Sequence, residues 1–299
     1  MSMSAFDESF DETFDESFDK SFDEPFATPL RISTMVITAH WGTPIQLDAL
    51  FVALRPLLIP MWYPAEGILK FEHKNQVIGS SHKDIFTNRK LTTKSFFNQS
   101  TIVLRRRTTP SNEPAKWKEV NVKLFANGGI QMTGVSSDVF AREAIEWLLA
   151  QIKLLPQSPF AGTPSIERFS IQLINTDYAI HRHIHQDALH KTLIQDYNLF
   201  SMLEKTIYQG INTKFFYNTH PQKQMGVCNC VRICKGQGTG EGEGQCKRIT
   251  MSIFRTGRII ITGARYYEQI EMAYQFLNGV IKKHANTVLY LPPQAQTAS

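Results

Sequence analysis

The sequence predicts an α+β fold made of two similar halves, and three observations support this prediction. A strand–turn–strand–helix block occurs twice, once as VNVKLFANGGIQMTG from Val120 and once as ITMSIFRTGRIIITG from Ile249. The strands of each block show the period-2 alternation of a sheet, and the segment after each block shows the 3–4 spacing of a helix with one buried face. The order of elements also restarts after the Pro-, Gly- and Ser-containing segment 155–165.

The two blocks match at one constant offset. The matched landmarks are Phe125 with Phe254, Gly128 with Gly257, Ile130 with Ile259, Thr133 with Thr262, and Gly134 with Gly263. A duplicated supersecondary unit fixes the architecture before any other element is considered.

The remaining elements fit the same duplicated plan. In the first half we expect a strand at 31–40, a helix at 44–54, a hairpin at 67–79 and a strand ending at 107. In the second half we expect a strand at 168–176, a helix at 184–197 and a Gly-rich hairpin at 235–245. The predicted organisation is a disordered tail at 1–29, two halves at 30–157 and 158–290, and a disordered tail at 291–299.

The net charge of +5 conceals a segregation of charge. Residues 1–26 carry nine acids and one lysine, a net of −8, so the remainder carries 31 basic and 18 acidic residues, a net of +13. A basic body favours a polyanionic partner such as nucleic acid. The sequence shows no apolar run of about 18 residues and no secretory signal, so we expect an intracellular protein without a membrane partner.

The N-terminal segment repeats a four-residue unit of the type FDES from Phe6 to Phe26. Adjacent like charges oppose a helix, and we expect disorder. One hypothesis is that this acidic, aromatic tail occupies a basic, apolar surface of its own chain. The alternative is a tail that only improves solubility.

Four cysteines fall close together, at Cys228, Cys230, Cys234 and Cys246. Four thiolates suffice for a structural zinc ion, but the spacing C-x-C-x3-C-x11-C matches no standard zinc motif. Buried free thiols are the alternative, and no other cofactor is expected.

A histidine-rich segment, HRHIH at 181–185, lies near Asp187 and His190. It raises the possibility of a metalloenzyme, yet the segment lies where a helix begins. Histidines on the outside of that helix are the simpler interpretation.

The second block, IFRTGRIIITGARYYEQIEMAYQFLNGVIKK, resembles the last strands and long helix of a TATA-box-binding protein (TBP) half. LFANGGIQMTG is similar to the equivalent stretch of the other half, and MVITAHWGTPIQLDALFVAL to the first strand and helix of the family. The resemblance covers 31–284. It implies a pseudo-twofold saddle, with a curved antiparallel sheet of about ten strands and four helices on the convex face. The insertions and the repetitive tail suggest a divergent TBP-like factor of the kind carried by large DNA viruses.

The resemblance also implies site residues. Phe125 and Phe254 match the phenylalanines that wedge DNA base steps, and Phe97 (or Phe96) is the candidate for the second wedge of the first half. Further matches are Thr133 and Thr262 for threonines that face the groove, and Ile260 and Gln131 for the sheet floor. Lys123 and Ser252 replace apolar floor residues. Gln224 and Met225 stand where the second half should carry its other wedge, and Thr34 and Ile171 replace the two groove-reading asparagines.

Basic residues flank these strands and are candidates for phosphate contacts. They are Arg105, Arg106, Arg107, Arg232, Lys247 and Arg248. The alternative is a solvated strand edge that discourages aggregation.

The resemblance implies a non-enzymatic factor that binds the minor groove of AT-rich promoter DNA and recruits initiation factors and RNA polymerase. It would act in the host nucleus or in a cytoplasmic viral factory. The alternatives are an interaction scaffold that has lost DNA specificity and a Cys/His metal-binding protein.

Overall fold

We describe a computed structural model over residues 26–87, 98–110, 112–220 and 224–290. The chain divides into two compact units. The first unit is Ile32–Ile174, and the second combines Met1–Arg31 with Asn175–Ser299. Residues 1–25 of the tail predicted at 1–29, the tail predicted at 291–299, and the candidates Phe96 and Phe97 lie outside the described residues.

The first unit contains alternating strands and helices. They are β1 (Arg31–His40), α1 (Leu47–Leu54), a 3-10 turn (Arg55–Leu57), β2 (Gly67–His73), β3 (Gln76–Gly79), α2 (His82–Thr87), β4 (Gln99–Arg107), β5 (Trp117–Phe125), β6 (Gly129–Val135) and α3 (Asp138–Lys153). The strands lie in the order β3-β2-β4-β5-β6-β1, and each resolved pair is antiparallel.

The second unit repeats this plan. Its elements are the end of β7 (Glu167–Ala179), β8 (His183–Ile184), α4 (Gln186–Gln195), β9 (Phe200–Glu204), β10 (Tyr208–Tyr217), β11 (Lys247–Phe254), β12 (Arg258–Ala264), α5 (Tyr267–Lys283), α6 (Ala285–Val288) and β13 (Leu289–Tyr290). Its main strands lie in the order β7-β12-β11-β10-β9. The predicted α+β class, with antiparallel strands and a duplicated plan, is therefore confirmed.

The turn glycines of the two blocks have the same structural cause. Gly128 and Gly257 have φ angles of +91° and +83°, a region that L side chains rarely adopt. A Cβ at Gly128 would collide with the carbonyl oxygen of Thr43, and one at Gly257 with the carbonyl oxygens of Ile180 and Arg182. The turn of each block thus packs against the chain that follows the first strand of its own unit.

Each unit buries one face of its sheet under helices. In α3 the residues Ala141, Ile145, Leu148 and Ile152 are buried, as their spacing predicts, and the hydroxyl of Ser137 caps the helix by accepting from the N–H of Phe140. Within the described part of the chain, no helix is long and apolar enough to cross a membrane.

The division between the two compact units falls inside β7, at 174/175, while the boundary between the repeated halves at 157/158 stays a prediction. The predicted linker belongs to the first unit because it packs there. Phe160 forms a bridge with Ile45, and its ring meets Trp41 edge-on at 5.1 Å. The N–H of Ser165 also donates to the carbonyl oxygen of Trp41. At the N-terminus, Ala27 pairs with Ile180, so the tail ends before 29.

Candidate nucleic-acid interface

Each sheet has a second face, here called the open face, formed by the side chains that alternate with those packed under the helices. On β5, Val120, Val122 and Leu124 are fully buried, whereas Lys123 and Phe125 are partly exposed. The same alternation on β11 buries Ile249, Met251 and Ile253. It places Thr250, Ser252 and Phe254 on the open face of the second unit.

The open faces carry the predicted residues in matching positions. Lys123 is paired with Gln131 in the first unit, as Ser252 is paired with Ile260 in the second. Thr133 and Thr262 occupy the same place one row further along, opposite Asn121 and Thr250 respectively. Phe125 and Phe254 are the last residues of β5 and β11, directly before the glycine turn.

The register of the neighbouring strands reveals an aromatic residue that sequence analysis missed. Gln99 is paired with Phe125, and Gly210 is paired with Phe254. The residue two positions before Gln99 is residue 97, and the residue two positions before Gly210 is Tyr208. The Tyr208 ring lies 5.6 Å from that of Phe254 at an interplanar angle of 61°.

Tyr208 therefore replaces Gln224 and Met225 as the second candidate wedge of the second unit. Those two residues follow the end of β10 and belong to the long connection after it, whereas Tyr208 lies beside Phe254. The length of this connection displaced the match. Counting along β10 from the strand pair at Phe254 is the signal that finds Tyr208.

A second assignment shifts by two residues. The N–H of Trp41 donates to the carbonyl oxygen of Gly128, and the N–H of Ile180 donates equivalently to that of Gly257. By this correspondence, the residue of the second half that is equivalent to Thr34 is Leu173 and not Ile171. Both positions of the expected asparagine pair still lack an asparagine.

The structure corrects the phosphate role of Arg105. Its side chain is only 4% exposed, and its guanidinium donates to the carbonyl oxygens of Ala65, Met61 and Tyr63. A guanidinium whose donors are used in this way has no free edge for a phosphate.

Arg106 is corrected for a different reason. Adjacent strand residues point to opposite faces, so Arg106 points to the helix side. There it lies over the ring of Trp147 at 5.0 Å and pairs with Glu66 at 2.9 Å. Arg106 therefore holds helix α3 against the sheet and does not belong to the open face.

The second unit retains a basic pair on its open face. Arg248 is exposed and is paired with Phe216, one row from Lys214. Burial, and to a lesser extent the nearby charge of Arg248, lower the pKa of Lys214. Lys214 was absent from the sequence prediction, and Arg232 lies apart in the connection between β10 and β11.

The histidine segment does not assemble a metal site. The His185 ring stacks near Tyr290 at 4.2 Å, His190 contacts the hydroxyl of Ser201, and Asp187 pairs with Lys205. Among the described residues, only the four cysteines bring metal-binding atoms together as a group.

The chain is similar in sequence to one curated protein and in structure to a solved one. No protein-family model matches the chain. The chain is 26% identical over 291 residues to a "TATA-box-binding protein-like" protein of Acanthamoeba polyphaga mimivirus, a match that covers 89% of this chain and 68% of the relative. A solved structure titled "Methanococcus jannaschii TBP" aligns with a TM-score of 0.46 at 16% identity, covering 86% of this chain and 99% of the other. The resemblance inferred from the two repeated blocks is thus confirmed at the level of similarity: the chain is similar to a viral protein named for its likeness to the TATA-box-binding protein.

Proposed function

We propose that this protein is a DNA-binding transcription initiation factor that uses the open faces of its two units to hold the minor groove of promoter DNA. The observation that carries the proposal is the matched pair of open-face rows, each ending in a partly exposed phenylalanine before a glycine turn. The curated viral relative, whose name refers to the TATA box, supports the same class of target.

The aromatic pair of the second unit suits a wedge. Tyr208 is 39% exposed, and its edge-to-face contact with Phe254 holds both rings at the end of the open face. Inserting such rings between base steps costs a few kcal/mol per step, which a bent duplex repays through wider contact with the protein. Phe125 supplies the corresponding ring of the first unit.

The floors between the wedges differ in chemistry. In the second unit the row Ile260–Ser252–Asn212–Met202 has two small polar side chains between two apolar ones. In the first unit the equivalent row, Gln131–Lys123–Thr101–Glu72, is polar and carries charges of both signs. The minor groove offers acceptors at A·T and G·C pairs alike, so the polar floor should discriminate less between them.

A direct test measures binding to an AT-rich duplex at several salt concentrations. Phe254→Ala combined with Tyr208→Ala should weaken binding about tenfold or more, since stacking on an aromatic side chain contributes roughly 1–3 kcal/mol. Tyr267→Ala on α5 is the matched control, because Tyr267 is 47% exposed but lies in the helical layer. Equal affinity of the double variant and the control would contradict groove binding.

An interaction scaffold is the second candidate, and one feature of the first unit favours it. The strand register places Lys70 and Glu119 on the open face. Lys70 nevertheless pairs with Asp84, and Glu119 pairs with His82, and both partners lie in the first turn of α2. This helix therefore covers the outer end of that open face. A scaffold would bind no duplex at any salt concentration, whereas an initiation factor would bind and then recruit polymerase components from a viral or host extract.

A further inference from the structure

The connection between β10 and β11, residues 218–246, brings all four cysteines of the chain together. Cys228, Cys230 and Cys234 lie on an irregular segment, and Cys246 directly precedes β11. Cys246 is buried, while the other three are partly exposed. Free cysteines that merely fill an apolar core should all be buried, so this distribution argues against that interpretation.

The sulfur atoms have the spacing of ligands around one ion. The Sγ atoms of Cys228 and Cys234 are 3.6 Å apart, those of Cys230 and Cys246 are 3.4 Å apart, and those of Cys228 and Cys246 are 3.8 Å apart. All four lie within 4.8 Å of one another. Zn–S bonds of about 2.3 Å in a tetrahedron separate the sulfurs by roughly 3.8 Å.

Hydrogen-bond donors point at the sulfurs from outside the cluster. The N–H of Gly244 donates to Sγ of Cys230 at 3.2 Å, and the side-chain amide of Asn218 donates to Sγ of Cys246 at 3.4 Å. Backbone N–H groups also donate to Cys228. Donors of this kind stabilise thiolates and orient them, which is the role of the outer ligand sphere in metal sites.

The described part of the connection has little regular structure or apolar burial to keep it folded. It contains no helix or strand beyond isolated bridges at Gly226 and Gln237, and Val231 and Ile233, at 93% and 86% exposure, contribute little burial. Its glycines make it costly to order. An ion bound by residues at both ends of the segment would close it as a loop, in the way that small metal-bound modules are held.

We propose that Cys228, Cys230, Cys234 and Cys246 bind one Zn²⁺ ion in tetrahedral geometry, and that this ion fastens the β10–β11 connection to the second unit. Four protein ligands leave no open position, so the site is structural and not catalytic. The zinc site is independent of the proposed DNA contacts, which lie on the open face.

The test begins with the full chain expressed in zinc-supplemented medium. Elemental analysis should find one zinc per chain, and X-ray absorption should find four sulfur neighbours. Cys228→Ser and Cys246→Ser should each lose most of the zinc, whereas Arg232→Ala, between two of the cysteines but not a ligand, should retain it. Wild-type protein without zinc and with four thiols open to titration would overturn the proposal, as would iron in place of zinc.

Two further readouts do not require a folded cysteine variant. Replacing zinc by Co²⁺ in the wild-type chain should give the visible absorption of a tetrahedral thiolate complex. Chelation should make the 218–246 segment sensitive to protease while the strands stay protected. Cleavage at equal rates with and without chelator would contradict the fastening role.

Discussion

The buried guanidinium of Arg105 is the residue on which the loop after α1 depends. It donates to the carbonyl oxygens of Met61, Tyr63 and Ala65, of which that of Tyr63 also accepts from the N–H of Ala65. Removing this buried charged donor takes a hydrogen-bond partner from each carbonyl, and hydrogen bonds to charged groups are worth about 1.5–3 kcal/mol each.

Arg105→Ala should therefore lower the free energy of unfolding by roughly 2–4 kcal/mol in urea titrations. Arg55→Ala serves as the control, since Arg55 is exposed in the 3-10 turn. A variant of unchanged stability but reduced DNA affinity would restore the phosphate role that the structure withdraws.

Asp177 carries a charge effect that depends on pH. Arg31 donates to its carboxylate at 2.8 Å and Arg258 at 3.1 Å, and these hydrogen bonds, the Arg31 bond foremost, lower the pKa of Asp177. A carboxyl group with a lowered pKa in the folded state stabilises the protein above its unfolded pKa of about 3.9, and this stabilisation disappears as the pH falls through the folded value.

Asp177→Asn should accordingly reduce stability at pH 7, and the difference from wild type should shrink below about pH 4. Urea titrations at several pH values measure this difference, with exposed Asp196→Asn as the reference. A gap that is constant from pH 7 to pH 3 would show that the carboxylate charge is not the cause.

Residue-level roles were the least predictable from sequence. The run Arg105–Arg107 looks uniform, yet strand alternation and the position of the 61–65 loop assign its members to different faces. The alternation follows from the sequence, but the position of the loop is set by tertiary packing.

At the scale of elements, the β10 and β11 strands combine aromatic and cationic side chains on one face. The two kinds of contact should be separable by salt, because each phosphate neutralised by a cation contributes about 0.9 to the slope of log K against log salt.

Lys214→Ala and Arg248→Ala should each reduce that slope by about 1, whereas Phe254→Ala should lower affinity at every salt concentration and leave the slope unchanged. Fluorescence anisotropy with a labelled duplex measures both quantities. If the cation variants leave the slope at its wild-type value, the basic pair makes no phosphate contact.

Most strands and helices were predictable because their periodicity is strong, and β1 matches its predicted range of 31–40. The role of Tyr208 was not predictable, because the equivalent connections differ in length. Residues 108–116 join β4 to β5, whereas residues 218–246 join β10 to β11. An alignment by residue type loses the correct register where two connections differ in length, whereas strand pairing keeps the register fixed.

At the scale of the molecule, charge separates the N-terminal segment from the rest. Phe26 lies over Lys282 of α5 at 5.2 Å, and the nine acids precede it in the chain. We expect a segment of net charge −8 tethered to a basic body to compete with DNA, most strongly at low salt.

Deleting residues 1–25 should tighten duplex binding several-fold at low salt, with a smaller gain at high salt. Replacing the tail phenylalanines by alanine keeps the charge and isolates the aromatic contribution. Unchanged or weaker binding after deletion would reject the autoinhibitory tail.

The unequal connections have a practical consequence for protein engineering. Residues 108–116 and 218–246 join equivalent strand pairs, so one site of the fold already accepts both a short turn and a long insert. Strand ends that tolerate this difference form a natural grafting position. A sensor peptide or a second copy of the cysteine segment could be transplanted between Arg107 and Trp117 without altering the strand register on either side.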